Sequence, residues 1–235
     1  MEAYVVVDIE TTGGHPVNNE IIEIGAVYVE NGKVKDSFNQ LVRPNEEISE
    51  YIIGITGITN EMVADAPPIE IVMPQFINFC KDVPLIGHNI NLFDYRMLKA
   101  KATLLNLPFN KKCVDTLIIS RKMLQELPSR KLGDLCVYYG ISLENAHRAY
   151  DDAYATYELY KHLEKDFKDK EPRLFKPEAL KWEIPKHVPL TKRQKSYLGS
   201  LCQRHQVTLE KDINQLSKSE ASRLIDGIIA KYGKA

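Results

Sequence analysis

The feature that most constrains this chain is an apolar run near its start that ends in two carboxylates. Residues 5–7 are valines, Asp8, Ile9 and Glu10 follow, and Thr11-Thr12-Gly13 then interrupts the run. Side chains of a strand alternate between its two faces, so Asp8 and Glu10 project from the same face. Two adjacent carboxylates repel each other unless a hard cation such as Mg²⁺ or Mn²⁺ lies between them. An Asp-x-Glu spacing also arises about once by chance in a chain of this composition, so the motif gains weight only from its position at a strand end.

The charge of the chain is divided unevenly along its length. With 235 residues and 44% hydrophobic content, the chain can form one large domain, or one medium domain with an appendage. Residues 186–235 contain ten Lys/Arg and four Asp/Glu, a net charge of +6, whereas residues 1–185 contain 21 and 28, a net charge of −7. This asymmetry predicts two functional parts.

Cysteine usage and the lack of export signals indicate a cellular compartment. The four cysteines are widely separated and form no Cys-x-x-Cys pair, which argues against a zinc knuckle and a disulfide framework. The first residues lack the basic and apolar regions of an export signal, and no run approaches the ~18 apolar residues of a membrane span. We therefore expect a cytoplasmic protein.

Hydrophobic periodicity predicts an α/β fold for residues 1–166, with a mixed sheet and helices on its faces. The first strand, residues 3–9, is the most apolar and is expected to be central, in an antiparallel meander whose second turn is Asn31-Gly32. Residues 44–67 are loop-rich, and Asn60 is the expected cap of a short helix.

The C-terminal part differs in composition from the rest. Residues 167–189 contain many charges and four prolines, which is typical of a linker. Residues 190–235 are expected to form a small helical module, a hairpin of helices 192–205 and 219–232. Ser217 and Glu220 have the spacing of a capping box for the second helix.

Two further acidic motifs follow the first. Asp94 comes shortly after the strand end Gly87-His88-Asn89, and Asp152 comes five residues after His147. Each aspartate has a structural alternative, because acids are favoured at helix N-termini. Residues five apart on a helix point about 140° away from each other, so His147 is expected in the loop before the helix. On geometry alone, Asp151 is a rival to Asp152.

Together, and in this order, the three motifs resemble the DEDDh family of 3′-to-5′ exonucleases, which includes the epsilon proofreading subunit of bacterial DNA polymerase III. The resemblance covers about residues 3–164. The first motif is Asp8 to Gly13, the second is His88-Asn89 through Phe93-Asp94, and the third is His147 to Ala153. The segments 56–59 and 115–117 also fit the family. The resemblance implies a ribonuclease H-like fold. One departure is that Asp94 follows His88 by six residues, where the family usually has five.

The resemblance also implies a chemistry and a set of site residues. It implies two divalent cations, Mg²⁺ or Mn²⁺, and hydrolysis of a phosphodiester bond at a free 3′ end of a nucleic acid. By residue-by-residue correspondence, the implied metal ligands are Asp8, Glu10, Asp94 and Asp152, and the implied general base is His147. The residues expected to contact the terminal nucleotide are Thr11, Thr12, Asn89 and Ile58.

Substrate class and the role of the basic module have alternatives. We expect DNA as substrate. The alternatives are a 3′ exoribonuclease and a non-catalytic nucleic-acid-binding module, although a binding protein has no need of an acidic cluster. The C-terminal module is expected to add nucleic-acid affinity, and its alternatives are a solvated basic face and a docking site for a protein partner. The cations expected on its surface are Lys192, Arg193, Lys195, Arg204 and Lys218.

Overall fold

A computed structural model describes residues 1–143, 146–184 and 190–233 of the chain. These residues divide into two compact units, Met1–Glu183 and Ile184–Ala235. Within the described ranges, no helix has both the length and the apolar character needed to cross a membrane.

The first unit is built on a mixed sheet that the described residues form from six strands in the order β3-β2-β1-β4-β5-β6. Its strands are β1 (Ala3–Thr11), β2 (Ile21–Glu30), β3 (Lys33–Leu41), β4 (Leu85–Gly87), β5 (Lys112–Asp115) and β6 (Glu178–Ala179). β1 runs antiparallel to β2 and parallel to β4, and β4 runs parallel to β5. The predicted α/β class, the antiparallel meander β1-β2-β3 and the inner position of β1 are confirmed.

The turn between β2 and β3 follows from its two residues. Asn31 and Gly32 have φ values of 51° and 71°, which suits a two-residue hairpin turn because both residues tolerate positive φ. The register places Glu30 opposite Lys33. The Asn-Gly signal therefore located this hairpin correctly.

Helices cover both faces of the sheet. The helices of this unit are α1 (Glu50–Thr56), α2 (Asn60–Val63), α3 (Ile69–Phe79), α4 (Asp94–Leu104), α5 (Thr116–Met123), α6 (Leu132–Tyr139) and α7 (Ala149–Phe167). Val5 and Val7 of β1 pack with residues of α3 and α4, whereas Val6 packs on the opposite face with residues of α5, α6 and α7. β1 is therefore buried from both sides, as its unbroken apolar sequence requires.

The stretch that the sequence predicts as loop-rich contains two short helices. Thr59, rather than Asn60, caps α2, because its side chain accepts a hydrogen bond from the Met62 backbone N–H. The Asn60 side chain instead bonds the backbone N–H and carbonyl of Ile48. Asn60 therefore ties the loop before α1 to the start of α2.

The stretch 167–183, which the composition assigns to a linker, belongs to the first compact unit. Phe175 is buried in the core beside Tyr160, and β6 pairs with β5. Pro172 begins a short 3-10 turn, Pro172–Phe175. Residues 185–189 lie outside the described part of the chain.

The second unit contains two helices, α8 (Lys192–His205) and α9 (Lys218–Tyr232). Gln194 in the first turn of α8 bonds the Lys218 carbonyl at the start of α9, and His205 stacks on Tyr232 at the other end. The helices therefore run side by side in the same direction. The expected hairpin is wrong, because the connection 206–217 is long enough to return along the full length of α8. The capping box of Ser217 and Glu220 is present.

Candidate active site

Acidic side chains meet at one edge of the central sheet. β1, β4 and β5 are parallel, so their carboxyl ends share this edge, and Asp8 and Glu10 lie at the end of β1. β2 runs in the opposite direction, and its start brings Glu23 opposite Glu10. Asp115 ends β5. The sheet topology thus concentrates negative charge at the place where ligands bind in open α/β sheets.

Asp94 enters this cluster from the first turn of α4. It is buried, and its Oδ1 atom is one of the buried polar atoms that lack a hydrogen-bond partner among the described residues. Asp115 supports the preceding loop, because its two carboxylate oxygens accept the backbone N–H groups of Asn89 and Asn91. Asn89 is in the left-handed region, with φ of 71°. The six-residue spacing between His88 and Asp94 is therefore accommodated by a turn that Asp115 holds.

Asp152 and His147 come from the N-terminal end of α7. His147 lies before the helix, as its spacing predicts, with φ of 67°, and its backbone N–H donates to Asp152 Oδ2 at 2.8 Å. One candidate ligand atom from each of Glu10, His147 and Asp152 lies within 4.8 Å of the others. The structure thus brings the first and third motifs together, and it places Asp152 rather than Asp151 in this group.

Glu23 fixes the start of α7 and was missed by the sequence reasoning. Its carboxylate pairs with the Arg148 guanidinium, with Nη2 to Oε1 at 2.7 Å, and accepts the Ala149 backbone N–H at 2.9 Å. Gly25 lies on the same face of β2, and a Cβ atom there would be only 2.1 Å from the Ala149 carbonyl carbon. This close approach of strand and helix fixes the position of Asp152. The only signal in the sequence was an acid and a glycine two residues apart in an otherwise apolar strand.

Burial and mutual repulsion raise the pKa values of the clustered acids. Burial, followed by the charges of Asp94 and Asp152, raises the pKa of Asp8 well above its ordinary value. Burial is also the main cause for the others, and it raises the pKa of Glu10 to about 8, of Asp94 to about 7 and of Asp152 to about 6. Carboxylates forced together in this way are favourable only when positive charge compensates them.

The cluster fits divalent metal ions. Hard cations take oxygen ligands, and Asp8, Glu10, Asp94 and Asp152 supply carboxylate oxygens from three segments of the fold. The Oδ1 of Asp94 has no hydrogen-bond partner among the described residues, and a bound cation would explain this observation most directly. These four residues are those that the resemblance implies as metal ligands.

The residues expected to contact the nucleotide lie in different environments in the structure. Ile58 is 0% exposed and packs with Ile22, Ile48 and Val63, so the structure does not present it to a base. The side-chain hydroxyl of Thr12 donates to Glu46 and accepts the Glu20 N–H.

Thr11 and Asn89 complete this set. The Thr11 hydroxyl donates to the Gly13 carbonyl, so the hydroxyls of both threonines are engaged within the chain, where they close the loop after β1. Asn89 is half-buried and lines a groove beside Asp152, so its expected contact with substrate stays a prediction.

His88 acts as an internal tie. One ring nitrogen lies 2.9 Å from the Thr116 hydroxyl oxygen, and the other lies 2.9 Å from the Arg130 carbonyl oxygen. Burial lowers the pKa of His88. Because both nitrogens are engaged, His88 supports the wall of the site, and His147 is the histidine whose side chain is exposed there.

A groove of about 710 Å³ extends from the acidic cluster. Its lining includes His147 and Asp152, the cations Arg121, Arg130 and Lys131, and the acid Asp134. Arg130 is held by the backbone carbonyls of Leu124 and Gln125, whereas Arg121 and Lys131 are exposed. A strand of phosphates in this groove would meet three cations.

Comparison with known proteins identifies the family. A family model of exonucleases, RNase_T, matches residues 5–160. The chain belongs to this exonuclease family. Its expected likeness to DEDDh 3′-to-5′ exonucleases of the epsilon type is confirmed, as is the ribonuclease H-like fold.

The PolC-type relatives that this chain matches are much longer than the chain itself. The PolC-type DNA polymerase III of Caldanaerobacter subterraneus subsp. tengcongensis is 46% identical over 163 residues, which are 69% of this chain and 12% of that protein. The PolC-type enzyme of Thermotoga maritima is 39% identical over 158 residues, which are 67% of this chain and 11% of that protein. The chain thus spans only about a tenth of the length of these relatives.

Solved structures share the fold. Exonuclease X in complex with 5′ overhanging duplex DNA is 27% identical, with a TM-score of 0.57, and the match covers 69% of this chain and 92% of that one. E. coli exonuclease I in complex with a dA16 oligonucleotide is 22% identical, with a TM-score of 0.63, and the match covers 74% and 42%.

Proposed function

We propose that this protein removes mononucleotides from the 3′ end of DNA by two-metal hydrolysis, with Mg²⁺ or Mn²⁺ as the cation. The observation that carries the proposal is the cluster of Asp8, Glu10, Asp94 and Asp152 at the sheet edge, where a buried carboxylate oxygen of Asp94 has no hydrogen-bond partner in the described part of the chain. Such a cluster destabilises the folded chain unless cations bind it. Stability alone therefore gives no reason for the arrangement.

The chain's own residues divide the remaining work. Bound divalent cations lower the pKa of a water molecule and stabilise the charge that develops on the leaving 3′ oxygen. Asp8, Glu10, Asp94 and Asp152 would hold those ions. A ring nitrogen of His147 accepts the proton of the attacking water, and the hydrogen bond from its backbone N–H to Asp152 keeps the histidine beside the acids.

The groove supports an anionic, extended substrate. Arg121, Arg130 and Lys131 line the same groove as Asp152, where they can neutralise phosphates that approach the negative cluster. DNA is favoured over RNA because the relatives at 39–46% identity are named as DNA polymerases. A cytoplasmic location belongs to the same proposal.

One assay tests the proposal. Purified protein is mixed with 5′-labelled single-stranded DNA, duplex DNA or RNA, in Mg²⁺, Mn²⁺ or EDTA, and products are resolved at single-nucleotide resolution. We expect stepwise shortening from the 3′ end of DNA that requires the cation and that Asp8→Ala abolishes. Degradation at an unchanged rate in EDTA, or by the Asp8→Ala variant, would refute the metal mechanism. If RNA is shortened faster than DNA, RNA is the substrate. If the protein binds nucleic acid but hydrolyses none under all of these conditions, it is a non-catalytic binding module.

A further inference from the structure

We propose that the end of the second unit at which α8 and α9 begin binds the phosphate backbone of a nucleic acid. Four cations belong to this basic end: Lys192, Arg193, Lys195 and Lys218. All four side chains are exposed. The proposal concerns a surface in a different unit from the acidic cluster, and it rests on the proposed function only in taking a nucleic acid as the ligand.

Hydrogen bonds between the two helix starts bring these cations together. The Gln194 side chain donates to the Lys218 carbonyl at 3.0 Å and to the Ser222 hydroxyl at 3.0 Å. Lys195 bonds the side chain of Asn214, which lies just before α9. The first turn of α8 is thereby held against the first turn of α9, although 24 residues separate Gln194 from Lys218. The sequence alone did not reveal this pairing, because a hairpin would have placed the two starts at opposite ends.

The acids at this end are already engaged. Glu220 accepts the Ser217 backbone N–H and pairs with Lys211 at 3.2 Å, and Asp212 accepts hydrogen bonds from Asn214. Each first turn also contains a capping box, which engages the backbone N–H groups of Thr191 and Gln194 in α8 and of Ser217 and Glu220 in α9. The positive charge that the proposal assigns to ligand binding is that of the four side chains.

The opposite end of the same unit provides the contrast. Arg204 and Lys231 lie in the last turns of α8 and α9, next to the stacked rings of His205 and Tyr232. Arg193 and Arg204 are eleven residues apart on one helix, which corresponds to about 16 Å. Arg204, which the sequence groups with the other cations, is therefore not part of the basic end.

Charge complementarity favours a nucleic acid as the occupant. Four exposed cations within one helical turn of two adjacent starts match a chain of phosphates, and Lys and Arg contacts to phosphate require no particular base. The surface would let the protein hold a strand without regard to its sequence. A trimming enzyme needs that property, because the bases at its substrate's end change at every step.

Two matched double variants of the full-length chain test the proposal. Arg193→Ala with Lys218→Ala removes two charges from the basic end, and Arg204→Ala with Lys231→Ala removes two from the opposite end. Binding of a 5′-labelled 30-nucleotide single strand is measured across a salt series, with Ca²⁺ in place of Mg²⁺ to suppress cleavage. For the basic-end pair we expect weaker binding, and a log-log salt slope that is smaller by about 0.7 for each lost phosphate contact. The opposite-end pair should keep the parent slope.

Further measurements separate this surface from the hydrolytic site and from misfolding. Hydrolysis of a dinucleotide in Mn²⁺ should be unchanged in both variants. If the parent protein does not hydrolyse the dinucleotide, the proposed function is refuted, whereas the binding proposal for the basic end still stands or falls by the salt slopes. The charge-retaining pair Arg193→Lys with Lys218→Arg should restore the parent slope. Equal slopes for both alanine pairs, whether reduced or unchanged, would overturn the proposal. In the unchanged case a protein partner would be the next occupant to test.

Discussion

The acidic edge of the first unit and the basic end of the second unit hold their charges in opposite ways. At the acidic edge, Asp94 and Asp152 are buried, and neighbouring backbone and ion-pair contacts fix the segments that carry them. At the basic end, the four cations are exposed side chains on the surface of two helices. Buried, mutually repelling charge is retained where chemistry needs it, whereas exposed charge contributes small, additive and salt-dependent terms.

This comparison predicts a difference of scale. A substitution at the acidic edge should change activity by orders of magnitude, because it removes a group that acts together with its neighbours. A substitution of an exposed cation should change affinity by a few-fold and should depend on salt.

The largest effect is expected for Asp152→Asn. Asp152 is both a candidate metal ligand and the acceptor of the His147 backbone N–H, so a neutral amide in its place weakens the cation site and the hydrogen bond that holds the base. We expect kcat to fall by ~10⁴-fold. The lost stabilisation of the cation accounts for about 4 kcal/mol of this effect, which corresponds to ~10³-fold. The matched control is Asp151→Asn, in the next residue of the same helix. If Asp151→Asn were the more damaging variant, the third motif would be assigned one residue out of register.

His147→Ala should have the next largest effect. Loss of a general base lowers turnover by ~10² to 10⁴-fold, and His147 is exposed, so its removal should not unfold the unit. Single-stranded DNA should still bind in Ca²⁺, and added imidazole should restore part of kcat in Mg²⁺. Loss of DNA binding together with activity, and no recovery with imidazole, would assign His147 to the substrate or the cation and not to proton transfer.

Glu23→Gln should have an intermediate effect, because Glu23 positions α7 from outside the ligand set. Groups that orient metal ligands typically affect metal affinity or activity by 10–100-fold. We expect a weaker affinity for Mn²⁺ and a lower kcat, with little change in KM. Glu158→Gln is the control, since Glu158 pairs with Lys161 on the surface of α7 at 3.1 Å. Equal behaviour of the two variants would show that the buried pair with Arg148 does not position the site.

Several parts of this architecture could be predicted from the sequence, and others could not. The end of β1 and its two acids were readable, because an apolar strand that stops in carboxylates has few explanations. The contribution of Glu23 was not, because its partners Arg148 and Ala149 are 125 and 126 residues away in the chain. Ile58 was expected to contact the nucleotide because segment 56–59 matches the family. Its burial could not be predicted, because it depends on packing against Ile22 and Ile48 from other segments.

The direction of the two final helices shows the same limit. Their lengths, apolar faces and capping box follow from local rules, and the structure contains all three. Whether they pack in the same or opposite directions depends on the conformation of the twelve residues between them, for which the sequence holds no strong turn signal. The grouping of the basic side chains depends on that direction, so it became visible only in three dimensions.

Metal removal should make stability depend on pH in a defined direction. In the folded, metal-free protein, Asp152, Asp94 and Glu10 keep their protons up to about pH 6, 7 and 8, whereas unfolded carboxyl groups lose theirs near pH 4. The folded state therefore binds more protons in this window, and its free energy of unfolding falls as pH rises from about 4 to 8. Each kcal/mol lost lowers the Tm by ~2–4 °C.

Thermal unfolding at pH 5, 6, 7 and 8 checks this expectation. The Tm should fall with pH in EDTA, and saturating Mg²⁺ should raise it most at pH 8, where the acids are ionised. Glu10→Gln should flatten the EDTA profile, because it removes one of the groups that must ionise. A Tm in EDTA that rises from pH 5 to pH 8 would contradict the raised pKa values of the cluster.

The smallest effect is expected for Arg121. Its charge is exposed, like the charges of the basic end, but it lines the groove that contains Asp152. Arg121 and Lys122 are consecutive residues of α5, and consecutive helical residues point about 100° apart. Arg121 lines the groove, whereas Lys122 is paired with Glu171 at 3.2 Å. Replacing either residue by alanine therefore removes one positive charge, but of the two only Arg121 lines the groove.

Arg121→Ala should raise KM for single-stranded DNA by ~2–5-fold, which corresponds to about 0.5–1 kcal/mol for an exposed charge contact. The kcat should be unchanged, because the guanidinium neutralises a phosphate without touching the reacting atoms. Lys122→Ala should leave both constants at their parent values, and the difference in KM should shrink as salt is raised from 50 to 300 mM. If both variants raised KM equally, the effect would come from net charge and the strand would not follow this groove. If Arg121→Ala lowered kcat instead, Arg121 would belong with the buried acids on the catalytic side of the comparison.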